Sequence, residues 1–142
     1  MSEARWRFTT IAHASHRVLG PIATSTIERM LTRAAYLHAA SDALVLDVGC
    51  GKGELLLRAC QHLGGEALGI EPNPAFAAAA RERARELGLT AHVTIEECRW
   101  QDLPAPPVGV ALAICTGSVH AFGSFGDALT ALHDVVAPRG LA

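Results

Sequence analysis

The sequence of 142 residues is short of charge and of aromatic side chains. Charged residues make up 18% of it and aromatic residues 5%, and the formal net charge is −2 with the histidines neutral. A nearly neutral chain lacks the basic surface that holds nucleic acid through its phosphates, so we expect no nucleic-acid partner. Half of the residues are hydrophobic, which excludes a disordered chain and predicts one well-packed domain.

Paired cysteines, long apolar runs and a leader segment are also missing. The four cysteines form no C-x-x-C pair, so we predict buried thiols rather than a zinc site or a disulfide framework. No uninterrupted apolar stretch reaches the roughly 20 residues of a membrane span, and no basic segment followed by an apolar run marks a signal peptide. We therefore expect a cytoplasmic protein without membrane contact.

A metal site is not indicated either. His13 and His16 lie three residues apart and would share one face of a helix. A catalytic zinc ion needs three protein ligands, and no third ligand is evident. We predict no metal.

The segment 45–53, which reads VLDVGCGKG, is the one around which the chain is organised. Residues 43–48 are apolar except for Asp47, which is typical of a strand that is covered on both faces of a parallel sheet. Gly49, Gly51 and Gly53 alternate through the following turn, and a helical period begins at Glu54. Since glycine lets a ligand approach the backbone closely, such a turn before a helix favours nucleotide binding.

The spacing of the glycines in this turn indicates which class of nucleotide ligand it suits. A dinucleotide fingerprint reads G-x-G-x-x-G, but Glu54 occupies the place of its third glycine. A P-loop would need Ser or Thr after Lys52. Asp47 would repel a pyrophosphate and attract an ammonium or sulfonium group. The turn therefore suits a cationic ligand that carries a nucleoside.

The stretch 47–53 resembles motif I of the class I S-adenosylmethionine-dependent methyltransferases. Residues 68–71, which read LGIE, are similar to the second strand of that family, and Glu71 follows Gly51 by 20 residues, near the usual spacing of a ribose-binding acid. The resemblance covers residues 43–141. It implies a Rossmann-like, doubly wound α/β fold, S-adenosyl-L-methionine as the cofactor and methyl transfer as the activity.

The resemblance also implies the residues of the cofactor site. Asp47 and the glycines would hold the amino acid end of the cofactor, and Glu71 would hold its ribose. The cofactor-binding residues that we expect are Asp47, Gly49, Cys50, Gly51, Gly53, Glu71, Pro72, Trp100, Asp102, Cys115, Thr116 and Gly117.

Two loops of the site depart from the family pattern or leave alternatives open. Arg99 stands where the family has the Asp that contacts adenine; Asp102 could replace it if the loop shifts. Trp100 is interpreted either as an aromatic that stacks on adenine or as a core aromatic. Residues 116–123 resemble the motif IV region beside the methyl group. Among them His120 is the candidate catalytic base, with a structural or substrate-orienting role as the alternative.

The first 42 residues are interpreted as an N-terminal helical cap, and residues 43–142 as the cofactor-binding domain. Residues 21–38 have the period of a helix, with a capping box from Ser25 to Glu28 and a linker at 39–42. The apolar face that we expect consists of Ile27, Met30, Leu31, Ala34 and Leu37. In the family that the sequence resembles, such helices cover the cofactor, and this arrangement would bring His13 and His16 to the pocket.

The remaining pattern predicts strands at 66–71, 92–97 and 108–115 and helices that begin at Pro74 and Phe125. Right-handed crossovers then give the strand order 3-2-1-4, with the fourth strand as an exposed apolar edge at which a second copy could pair. In the family a fifth strand would begin after Pro138-Arg139-Gly140, which we take as the end of the last helix. We favour a fragment that is incomplete at its C-terminus.

The methyl acceptor is not readable from the sequence. No Asn-Pro-Pro-Tyr-like motif follows the fourth strand, which argues against the nucleic-acid amino-methylating enzymes, so a small molecule is the default. Two other interpretations stay open. One is a non-catalytic cofactor-binding or pairing module, and the other is a nicotinamide-dependent oxidoreductase, which the glycine spacing and Asp47 disfavour.

Overall fold

The computed structural model describes residues 3–37 and 42–142. Five parallel strands form one sheet in the order β3-β2-β1-β4-β5. Their bounds are β1 (Leu44–Val48), β2 (Glu66–Ile70), β3 (Val93–Glu96), β4 (Val110–Ile114) and β5 (Val136–Leu141). The Rossmann-like fold class and the order 3-2-1-4 are therefore confirmed.

Helices connect and flank the strands. They are α1 (Arg7–Ala12), α2 (Thr24–Leu37), α3 (Glu54–Leu63), α4 (Pro74–Glu86) and α5 (Phe125–Val135), with short 3-10 turns at Glu3–Arg5, Trp100–Asp102 and Val119–Ala121. Residues 38–41, which include most of the expected linker, lie outside the described residues. No helix within the described ranges is both long enough and apolar enough to cross a membrane.

The core lies on both faces of the sheet because successive residues of a strand point to opposite sides. Val45 packs with Ile27 of α2 and Leu56 of α3 on one face. Leu46 packs with Leu132 of α5 on the other face. Burial on both faces explains why β1 reads as an almost continuous apolar run.

The fifth strand corrects the expectation that the sheet stops at four. Val136 pairs with Val110, and Leu141 pairs with Leu112 across an irregularity in the ladder. Helix α5 ends at Val135, before the expected end at Pro138-Arg139-Gly140, because the residues that follow it pair with the edge of β4. β4 therefore lies between β1 and β5, and the expected pairing of copies through β4 loses its structural basis.

Helix α2 differs from its prediction at its start and along its surface. The amides of Thr26 and Ile27 donate to the carbonyl of Ala23, at 2.9 and 3.1 Å, so Ser25 lies inside the first turn and the capping box is wrong. Ile27, Leu31 and Ala34 are buried as predicted, whereas Met30 and Leu37 are 59% and 51% exposed. The buried stripe of α2 is narrower than its apolar face, and α3 is the helix that packs against it most closely.

The two helices that border the site have caps of ordinary chemistry. Helix α3 ends at Gly64 in the left-handed conformation. Helix α4 begins with Pro74, and the side chain of Asn73 caps it by accepting from the amide of Ala75 at 3.1 Å. Helix α3 follows β1 and helix α4 follows the parallel strand β2, so the N-termini of both helices lie at the same end of the sheet.

Candidate functional site

A cavity of about 550 Å³ opens at the carboxyl ends of β1, β2 and β4. Open α/β sheets bind ligands at the point where the chain reverses its direction along the sheet, which lies here between β1 and β4. The expected site residues line this cavity, with the exceptions of Gly53 and Cys115. The structure thus brings together residues that lie up to 73 positions apart, as from Asp47 to His120.

The glycine turn follows β1 and needs glycine for two reasons. Gly49, Gly51 and Gly53 have φ of 76, 58 and 78°, which other residues rarely adopt. A Cβ at Gly49 would lie 2.3 Å from that of Ser118, and a Cβ at Gly51 would lie 2.6 Å from Cδ1 of Leu19. The turn is therefore held between the loop after β4 and the N-terminal segment.

Gly53 does not line the cavity and has a structural role instead. It precedes the first residue of α3, and a Cβ there would lie 3.0 Å from that of Ala80 in α4. Its amide donates to the carbonyl of Cys50 at 2.9 Å, which closes the turn. Gly53 thus allows α4 to pack closely against the start of α3.

Glu71 follows β2 and braces the glycine turn. Its carboxylate accepts from the amides of Gly51 and Asn73, each at 2.8 Å, and the residue is 6% exposed. Burial raises the pKa of Glu71, against the opposing effects of these hydrogen bonds and of the charge of His120. Each carboxylate oxygen has a second lone pair, so Glu71 can still accept hydrogen bonds from ligand hydroxyls.

Asp47 is a buried acid whose protonation is strongly perturbed. It is 3% exposed, and burial, followed by the nearby charge of Glu71, raises the pKa of Asp47 to about 8. Within residues 3–37 and 42–142 no hydrogen-bond donor reaches its carboxylate. A buried carboxylate without donors is costly, and a cationic donor in the cavity would compensate for that cost. The acid therefore fits the ammonium group of an amino acid ligand.

Cys50 lies beside these acids and is not a reactive thiol. Burial, and then the charges of Asp47 and Glu71, raise the pKa of Cys50 well above its usual value. Since the thiolate is the nucleophilic form, the Cys50 side chain stays an inert thiol at neutral pH. Its contribution to the cavity is the shape of the wall.

The loop after β3 supplies one side of the cavity through Arg99, Trp100, Gln101 and Asp102. The ring of Trp100 also packs on Phe122, with 5.3 Å between the ring centroids. Trp100 is therefore both a wall residue and a packing residue, and the two interpretations of it are compatible. Arg99 and Asp102 both reach the cavity, so Asp102 needs no shift of the loop to lie on its wall.

The loop after β4 contributes Thr116, Gly117, Ser118 and His120. His120 is exposed in the 3-10 turn Val119–Ala121, at the mouth of the cavity. Cys115 does not reach the cavity, and its Sγ lies 3.3 Å from Oγ of Ser118. The hydroxyl of Ser118 donates to the carbonyl of Val48, a link between β1 and this loop that the sequence did not reveal.

The N-terminal segment, defined here as residues 3–22, forms the wall opposite the strands. Lys52 Nζ donates to the carbonyls of His13 and Ala14 at 2.6 and 3.0 Å, and Asn73 Nδ2 donates to Oγ1 of Thr10 at 3.1 Å. Sequence reasoning missed these contacts because Lys52 and Asn73 carried no signal beyond the turn and the cap. They hold the segment across the glycine turn.

The two histidines of the segment have different positions. His13 lines the cavity and contacts the ring of Phe76, whereas His16 does not reach the cavity. Their Nδ1 atoms are 3.3 Å apart. In the part of the chain that the structure describes, no group of three or more His, Cys, Asp or Glu residues is placed to hold a metal ion.

Comparisons with known proteins agree with this geometry. Residues 45–140 match the profile of the family described as "Methyltransferase domain". A crystal structure of an S-adenosylmethionine-dependent methyltransferase from Thiobacillus denitrificans, in complex with S-adenosyl-L-homocysteine, has a TM-score of 0.82 and 27% identity, over 95% of this chain and 53% of that one.

Two curated proteins are also similar. The protein YjhP of Escherichia coli (strain K12) is 27% identical over 95% of this chain and 53% of its own length. Geranyl diphosphate 2-C-methyltransferase of Streptomyces lasalocidi is 40% identical over 44% of this chain and 21% of its own. The chain thus spans at most about half the length of these relatives.

Proposed function

The chain belongs to the S-adenosylmethionine-dependent methyltransferase family, as segment 47–53 and Glu71 predicted, and we propose that it binds S-adenosyl-L-methionine and methylates a small-molecule acceptor. The observation that carries the proposal is the pair of buried acids, Asp47 and Glu71, at the carboxyl ends of the neighbouring strands β1 and β2. One lacks a donor and the other braces the glycine turn. This acidic floor fits a ligand with an ammonium group and ribose hydroxyls.

The cavity offers a suitable set of residues to each part of the cofactor. Asp47 and the backbone of Gly49 and Gly51 would take the amino acid end, because the glycines leave the main chain open to the ligand. Glu71 would accept from the ribose hydroxyls with its remaining lone pairs. The loop with Trp100 and Asp102, together with Pro72, would lie by the adenine.

When bound, the cofactor supplies an electrophilic methyl group on a sulfonium. The residues of this chain then have three tasks, which are to bind, to orient and to exclude water. The loop at Thr116 and Gly117 would face the methyl group. His120, at the mouth of the cavity, would take a proton from the acceptor if the acceptor needs a base. We propose residues 1–42 as the cap and 43–142 as the cofactor-binding domain.

Two findings support a small-molecule acceptor. The N-terminal segment lies over the cavity on the side opposite the strands, which favours a small acceptor over a polymer. The Streptomyces lasalocidi relative is named for a small substrate, geranyl diphosphate. We keep the expectation of a cytoplasmic protein that binds neither nucleic acid nor membrane as part of this proposal.

The test is calorimetric titration of the chain with S-adenosylhomocysteine, with reduced nicotinamide dinucleotide as the control ligand. We expect selective micromolar binding of S-adenosylhomocysteine. A preference for the dinucleotide would refute the proposal. If only S-adenosylhomocysteine binds, a panel of acceptors with labelled cofactor separates a catalyst from a non-catalytic binding module.

A further inference from the structure

The N-terminal segment is rich in basic residues. It contains one acid, Glu3, against three arginines and two histidines. The opposite wall of the cavity carries the buried acids Asp47 and Glu71. The cavity is therefore divided into an acidic floor and a cationic roof. A floor that attracts an ammonium group does not account for the positive charge of the roof.

Arg17 is the roof residue whose place the contacts define best. The chain before it is held at His13 and Ala14 by Lys52, and the chain after it is held where Leu19 contacts Gly51. Arg17 therefore lies over the glycine turn, and it contributes to the cavity wall.

Arg17 also differs from the arginines of α3 and α4 in its pairing. Arg58, Arg83 and Arg85 each form an ion pair with a glutamate. Among the described residues no carboxylate lies at ion-pair distance from Arg17. A guanidinium group has five donors and no acceptor, and its planar fork matches a carboxylate or a phosphate.

From this placement we propose that Arg17 binds an anionic group, a carboxylate or phosphate, of the methyl acceptor, so that the acceptor is an anion. The inference rests on the proposed function, since it assigns the acceptor of that same site. An anionic group would avoid the acidic floor, and Arg17 offers it a cationic partner on the roof. The carboxylate of the cofactor has the same chemistry and is the other source that the test must distinguish.

The experiment uses inorganic phosphate and diphosphate as probes of the anion site. Each is titrated by calorimetry, at low ionic strength, into the full chain saturated with S-adenosylhomocysteine, so that the carboxylate of that ligand already has its place. The variant is Arg17→Gln. The matched control is Arg7→Gln, which removes the same charge from an exposed position of the same segment that does not line the cavity.

We expect diphosphate to bind the saturated wild-type chain and to bind Arg17→Gln about tenfold or more weakly, because a charge-assisted contact is lost. The control should keep the wild-type affinity for diphosphate, and both variants should keep the wild-type affinity for S-adenosylhomocysteine. Arg17→Lys should recover part of the affinity, since lysine keeps the charge without the fork.

Three results would overturn the inference. Diphosphate and phosphate could fail to bind the saturated chain, or both variants could weaken binding equally, which would reduce the effect to net charge. Arg17→Gln could instead weaken S-adenosylhomocysteine alone, which would assign Arg17 to the cofactor. Failure of the proposed function is distinct, because the wild-type chain would then not bind S-adenosylhomocysteine at all.

Discussion

Cofactor binding should depend on pH through Asp47. In the free chain, burial and the charge of Glu71 keep Asp47 protonated below a pKa of about 8. An ammonium group of the ligand favours the ionised carboxylate. Binding should therefore release a proton from Asp47, and the affinity should rise with pH until it levels off near that pKa.

The size of this pH dependence follows from the raised pKa of Asp47. Below the pKa of the free chain, each pH unit changes the affinity by up to about tenfold, or about 1.4 kcal/mol. Between about pH 5.5 and 7, where the α-amino group of the ligand stays largely protonated, the affinity should rise by up to about thirtyfold. Close to one proton should be released per ligand bound at the lower end of this range.

The assay is calorimetric titration with S-adenosylhomocysteine in pairs of buffers with different ionisation enthalpies, which counts the released protons. Asp47→Asn is the matched variant, since the amide has nearly the same shape and cannot ionise. The variant keeps His13 and His120, which also line the cavity, so any effect of these two histidines is common to both proteins. The two affinities should converge at low pH and diverge as pH rises.

Two results would refute this reasoning. Equal pH slopes for the wild type and Asp47→Asn would remove Asp47 from the linkage. Binding of the wild type without any difference in proton release from the variant would mean that Asp47 is already ionised in the free chain.

Three further predictions concern the same walls of the site. Glu71→Ala should weaken S-adenosylhomocysteine binding by about 1–3 kcal/mol, the range for a hydrogen bond to a charged group, as measured by calorimetry against wild type; unchanged affinity would exclude Glu71 from the site. Gly51→Ala should lower the unfolding free energy by about 1 kcal/mol or more in urea titrations, because φ is +58° and Leu19 must move; a wild-type stability would contradict that geometry. The pKa of Asp47 is higher in the folded chain than in the unfolded chain, so the contribution of protonated Asp47 to stability is fully present below the unfolded pKa and is lost as pH rises toward 8. The free energy of unfolding of the wild type should therefore fall by about 2–3 kcal/mol relative to that of Asp47→Asn between about pH 5 and 7. Parallel curves of stability against pH would contradict this prediction.

The sequence alone predicted the glycine turn, the two acids of the site and the order of the first four strands. These features are local, since apolar period, glycine spacing and cap residues act within a few positions, and right-handed crossovers then determine strand order. Asp47 was found at the end of an apolar strand, and Glu71 was found through the resemblance of residues 68–71 to the family and its spacing from Gly51. The fold class followed from the same alternation of strands and helices.

The tertiary structure decided what depends on contacts between distant residues. The short segment after Val135 carried no clear strand signal, and it extends because β4 offers it a partner. Lys52 holds the N-terminal segment over a turn that lies 38 and 39 positions away in the chain. Arg17 has its place on the cavity wall through that contact and through the contact of Leu19 with Gly51. Packing between elements sets such positions, and no local pattern encodes the distance at which they meet.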